Sequence, residues 1–210
     1  MPRLCLLCLL LAAVAASLLA PASRVNAQGG LFPTPASTNI SASWTISLKA
    51  NGHGGSQKSF GIFLLQSVDG SGGGLSFSAC FYCTDTCSVF YFGVCILETD
   101  SGGGLFDGTG ILQVVWSANR GRPVSENATL TFAATGDLLL RDADGGFVWN
   151  TNISSQSVAG MTVTKSGNLV LFDGKNTPVW QSFNHPTDCL LPGQQLTEGM
   201  KLTPNASATN

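Results

Sequence analysis

The sequence predicts an all-β domain with approximate threefold symmetry, and three observations carry that prediction. Of 210 residues, 25 are glycine and only 10% are charged, against about 25% in an average globular chain, a profile of short strands joined by many turns. A segment ending in a Val-Trp pair occurs twice at an offset of 31 residues. A third pair, Val115-Trp116, stands 33 residues before Trp149, so Trp116, Trp149 and Trp180 mark three copies, the first the most diverged. The length fits one domain with short appendages, at roughly 100–200 residues per domain. A formal charge of −2 with 44% hydrophobic residues leaves no basic surface for nucleic acid and excludes a disordered chain.

The first element is removable. Met1-Pro2-Arg3 precedes an uncharged run from Leu4 to Ala20 and then small residues ending Val25-Asn26-Ala27. A basic start, an apolar middle and a small-x-small end describe a secretory signal peptide over residues 1–27. The alternative is a transmembrane anchor, which needs about 20 apolar residues. Loss of Arg3 and Arg24 leaves eight basic and twelve acidic residues, a net charge of −4. The longest later apolar run, Val89 to Leu97, is too short to span a bilayer. Residues 28–37 read as an N-terminal segment, 38–202 as the domain and 203–210 as a polar tail without the apolar run of a lipid-anchor signal.

Export gives the cysteines and sequons their meaning. Cys80, Cys83, Cys87, Cys95 and Cys189 remain after the signal, three of them within Cys80-Phe81-Tyr82-Cys83-Thr84-Asp85-Thr86-Cys87. The cluster reads as half of a zinc site, a redox pair or a disulfide-clamped hairpin. His53 and His185 lie in no ligand spacing, and an oxidising compartment favours disulfides. Five is odd, so one thiol stays free or joins another chain, which permits a homodimer. Asn-x-Ser/Thr sequons at Asn39, Asn127, Asn152 and Asn205 are candidate N-glycosylation sites on the surface.

The two clear repeats then read strand, turn, strand. Thr135-Gly136-Asp137 and Ser166-Gly167-Asn168 are turn chemistry, because Gly, Asn and Asp tolerate positive φ. Side chains alternate across a strand, so Leu138 and Leu140, like Leu169 and Leu171, share the core face. Asn168, Val170 and Phe172 share the other, a polar group, an aliphatic patch and a ring in a row. Such a row suits a sugar, which needs hydrogen bonds to hydroxyls and apolar contact along its C–H edge. The three tryptophans close the core from three sides.

Val114-Val115-Trp116-Ser117-Ala118-Asn119-Arg120, the two repeats, and the run from Val179 to Gln194 containing Trp180-Gln181-Ser182-Phe183-Asn184-His185-Pro186-Thr187-Asp188 closely resemble the bulb-type (monocot mannose-binding) lectin domain. The version is that of plant S-domain, or G-type lectin, receptor-like kinases and their secreted relatives. The resemblance covers roughly residues 38–202 and implies a β-prism II fold, three four-stranded antiparallel sheets about a pseudo-threefold axis. It also implies a mannose site on each sheet with the pattern Gln-x-Asp-x-Asn-x-Val-x-Tyr. Carried onto the last repeat, those positions are Thr164, Ser166, Asn168, Val170 and Phe172. Asn168 and Val170 match, whereas Thr164 and Ser166 lack reach and acceptor strength and Phe172 lacks the hydroxyl. The middle repeat keeps only an acidic residue, Asp137, among Ala133, Thr135, Leu139 and Arg141, and the first unit has no copy.

Two further classes are weighed. An enzyme needs a nucleophile with a base, a carboxylate pair or a metal. His185 and Asp188 stand close, but no catalytic motif or phosphate loop accompanies them, so neither activity nor cofactor is implied. The other class is protein recognition, since relatives of this kind sit outside the cell ahead of a membrane span and a kinase. The expectation is an extracellular, apoplastic lectin-like domain whose partner is a glycan or a cell-surface protein, either free or the front of a longer receptor.

Overall fold

A computed structural model describes residues 36–47, 59–67, 74–84, 87–99, 111, 113–153, 156–187 and 189–202. The expected signal peptide, the polar tail, His53 and Asn205 lie outside them. The fold is all-β. Its strands are β1 (Ser37–Asn39), β2 (Ala42–Thr45), β3 (Ser59–Gln66), β4 (Gly74–Thr84), β5 (Tyr91–Thr99), β6 (Gln113–Ser117), β7 (Thr129–Phe132), β8 (Leu138–Arg141), β9 (Phe147–Asn150), β10 (Gly160–Val163), β11 (Leu169–Phe172) and β12 (Pro178–Gln181).

These strands form three four-stranded antiparallel sheets in the orders β3-β4-β5-β6, β2-β7-β8-β9 and β1-β10-β11-β12. The 31-residue offset holds strand for strand between the second and third sheets. Each of those repeats supplies three strands only. The fourth comes from residues 37–45, ahead of the first unit, where β1 pairs with β10 and β2 with β7. That pairing ties the last repeat to the first described residues of the domain. The first unit departs most from the repeat, with an 11-residue β4 and a 9-residue β5.

The core lies where the inner faces of the sheets meet. Leu138, Leu140, Leu169 and Leu171 are fully buried. Trp116, Trp149 and Trp180 meet edge to face, with ring centroids 6.0, 5.8 and 6.0 Å apart. This is the arrangement in which the positive ring edge meets the negative ring face. At roughly 25 cal/mol per Å² and about 150–250 Å² per buried indole, Trp116 and Trp180, the two that are buried, each contribute on the order of 4–6 kcal/mol of gross transfer free energy.

The first sheet carries a second cluster on its outer face. Cys80, Tyr82, Cys95 and Leu97 are buried there, with Tyr91, Ile111 and Val114 packed against them. Disulfides join Cys80 to Cys95 across β4 and β5, and Cys83 to Cys87 around the loop that follows β4. The dense cysteine run is therefore a clamp on a hairpin, and its three sulfurs, with that of Cys95, are committed to disulfides.

Candidate functional site

The third sheet places the predicted row on the outer side of β11. Its entry turn closes with the Gly167 N–H donating to the Thr164 carbonyl at 3.0 Å and the Thr164 N–H to the Asn168 carbonyl at 2.9 Å. Gly167 takes φ +84°, the left-handed region that favours glycine. A Cβ there would stand 2.6 Å from both Phe77 and Leu191. Thr164 Oγ1 accepts the Asn168 N–H at 3.0 Å and lies 2.9 Å from Ser166 Oγ. Thr164 thus holds the turn with its own hydroxyl, and the Ser166 hydroxyl lies against it.

Asn168 is turned largely inward and is 8% exposed. Its Oδ1 accepts from the Ser182 hydroxyl and the Phe183 N–H, each at 3.2 Å, and its Nδ2 donates to Gln181 Oε1 at 2.9 Å. Ser182 Oγ in turn accepts the Leu169 N–H. The middle sheet repeats this latch. Asp137 accepts from the Thr151 hydroxyl and from Asn150 Nδ2, and Thr151 Oγ1 accepts the Leu138 N–H. In the first sheet the Ala118 N–H donates to the Phe92 carbonyl as the Thr151 N–H does to Leu138. That correspondence puts Tyr91 in the place of Asp137 and Asn168, and its ring stacks on Tyr82 at 5.4 Å.

The remaining members of the row are split. Val170 is buried, at 7% exposure. Phe172 is half-buried and leans across β10, where its Cζ would lie 2.5 Å from a Cβ on Gly160. The structure therefore brings Thr164, Ser166, Asn168 and Val170 together, while the ring tip of Phe172 points toward β10. Asp137 belongs to another sheet, with both oxygens engaged internally. The sequence reading missed Ser182, Thr151 and Gln181, which complete the latches. Their signal was present, since Trp149-Asn150-Thr151 and Trp180-Gln181-Ser182 stand at the repeat offset.

Residues 113–209, which include both latches, match the family model described as D-mannose binding lectin. The chain carries a bulb-type lectin domain. Among its relatives is the Arabidopsis thaliana G-type lectin S-receptor-like serine/threonine-protein kinase SD2-5, 33% identical over 76% of this chain and 17% of its own length. EP1-like glycoprotein 4 of the same plant is 45% identical over 40% of this chain and 19% of its own. The epidermis-specific secreted glycoprotein EP1 of Daucus carota is 41% identical over 46% of this chain and 25% of its own. The chain thus spans a quarter or less of the length of these relatives. Among solved structures, the Japanese Marasmius oreades lectin is similar at a TM-score of 0.31 and 16% identity, over 76% of this chain and 95% of its own.

The margins of the lectin domain's third sheet are fixed by its C-terminal strap. A 3-10 turn, Ser182–Asn184, follows β12. His185 stacks on Trp180 at 5.2 Å, and its carbonyl accepts from Trp116 Nε1 at 2.8 Å. Gln194 Nε2 donates to the Phe183 carbonyl. Cys189, a disulfide candidate in the sequence, stands outside both disulfides because its segment is strapped beside β6. There its thiol donates to the Val115 carbonyl at 3.1 Å. Beyond Phe172, Asp173 Oδ1 accepts the N–H groups of Thr177 and Lys175, which hold its carboxyl below the usual 3.8. Asp142 does the same in the middle sheet, held low first by the Ser125 N–H and then by that of Ala143. The sequons' Asn39, Asn127 and Asn152 are all exposed. Among the described residues no helix is long and apolar enough to cross a membrane.

Proposed function

We propose that this chain is an extracellular, non-catalytic recognition domain that binds mannose-type glycans weakly, through the outer face of β11. The observation that supports this reading is the juxtaposition on one sheet of the Thr164–Ser166 hydroxyl pair, the Asn168 amide and the apolar Val170. The affinity is low because the acidic acceptor of the family pattern is Ser166. A charged hydrogen bond is worth about 1.5–3 kcal/mol, against about 0.5–1.5 for a neutral one. The signal peptide over 1–27 and the glycosylated sequons belong to the same reading, as do the secreted glycoproteins among the relatives.

A second reading is favoured by the inward turn of Asn168, whose Oδ1 is saturated by Ser182 and Phe183. On that reading the domain recognises a protein at the cell surface. A glycan array probed with the mature, glycosylated chain separates the two. Retention on mannose-terminated glycans supports the first, and a silent array from protein that melts cooperatively supports the second.

A further inference from the structure

We infer that Gln181 is a sugar-contacting residue, so that the glycan site of the third sheet is built from β11 and β12 together rather than from β11 alone. This inference rests on the glycan-binding reading of that sheet. Position 164, where the family pattern has a carboxamide, holds a threonine whose hydroxyl is occupied by the turn. Gln181 lies on β12, at the edge of the sheet, directly opposite Val170 and beside Asn168. It places a carboxamide over the same apolar patch from the neighbouring strand.

The orientation of that carboxamide follows from a chain of donors. The Phe183 N–H can only donate, so the oxygen of Asn168 must face it, and the Ser182 hydroxyl meets the same atom. Asn168 Nδ2 then points to β12 and requires an acceptor there, which is Gln181 Oε1 at 2.9 Å. Gln181 must therefore turn its Nε2 outward. That nitrogen carries two N–H groups, and among the described residues its internal contact is a long one, 3.4 Å to Asn184 Oδ1. In the middle sheet the direction is reversed. Asn150 donates one of its N–H groups inward to the Asp137 carboxylate, where Gln181 accepts from Asn168. At the matching place in the first sheet, Ser117 Oγ accepts from Tyr82. The third sheet thus presents an amide donor beside an apolar strand centre, which suits a neutral hexoside with a hydroxyl above Gln181 and its C–H edge toward Val170.

The test uses the mature, glycosylated chain, titrated with methyl α-D-mannoside and with a mannotriose. Calorimetry is run alongside spectra in which the Gln181 side-chain amide has been assigned. The expected result is saturable binding that shifts the Gln181 amide, weakened roughly tenfold in Gln181→Met, the loss of about one good hydrogen bond. Saturable binding with an unmoved Gln181 amide, and with Gln181→Met within about twofold of the parent, would overturn the role of Gln181 and leave the β11 site standing. The amide signal decides the matter even where the Met variant does not fold. A parent chain without saturable binding to either sugar would remove the glycan site and this inference with it.

Discussion

At the scale of the residue, one side chain serves two ends that compete. Asn168 matches the family's sugar-binding pattern, yet its oxygen joins β11 to the strap through Ser182 and Phe183. Asn168→Ala leaves the Phe183 N–H and the Ser182 hydroxyl without their acceptor, a cost of about 1–3 kcal/mol, which a urea midpoint with an unchanged slope measures. Loss of binding in that variant alone does not identify a ligand, which makes Ser166 and Gln181 the cleaner probes. His185 carries the pH dependence near neutrality. Its imidazole lies on Trp180, and burial lowers its pKa from 6.5. As pH falls below 6.5, the unfolded chain takes the proton before the folded one does. Stability is therefore full above that value and declines as pH drops toward the folded pKa. The melting temperature should be flat above about pH 7 and fall below it. His185→Phe, which keeps a ring on Trp180, should remove that slope.

At the scale of the element, the turns were the most legible part of the sequence and the strand exchange the least. Gly136 and Gly167 announced their hairpins because only the left-handed conformation closes them, and both take positive φ. What the sequence did not announce is what each turn touches. Gly145 and Gly167 have φ of +82° and +84°, but a Cβ on Gly145 meets nothing within 4 Å, whereas one on Gly167 meets Phe77 and Leu191. Gly145→Ala should cost about 1 kcal/mol from the backbone alone, and Gly167→Ala about 1–3 kcal/mol more for overpacking. Thermal melts of the two variants read the difference directly. β1 and β2 escaped sequence reasoning for a physical reason. Strands of 3 and 4 residues show too little alternation to reveal a partner, and their partners lie 84 to 125 residues away.

At the scale of the whole molecule, the threefold arrangement of Trp116, Trp149 and Trp180 makes the domain one cooperative unit. Trp116→Ala should cost about 3–5 kcal/mol, a large share of the 5–15 kcal/mol typical of a domain. Fluorescence and far-UV melts should then still coincide, at a lowered temperature. The spacing of the tryptophans was enough to foresee this core, because a repeated strand must repeat its buried face. Function was less legible, because the same outer row that binds sugar in the family pattern is bound internally here, and sequence does not reveal which way an amide points. The three sheets have taken three courses from one plan: a tyrosine stack on the first, a carboxylate latch on the second, and on the third a row lacking its strong acceptor. The most direct test is to restore that acceptor. Ser166 is exposed, so Ser166→Asp adds a carboxylate with little disturbance of packing. Calorimetric titration with methyl α-D-mannoside should show the parent binding weakly and Ser166→Asp binding roughly tenfold or more tightly, as a charged hydrogen bond requires. Equal affinities in the two, or no binding in either from protein with an unchanged melting temperature, would contradict the assignment of β11 as the glycan-binding strand.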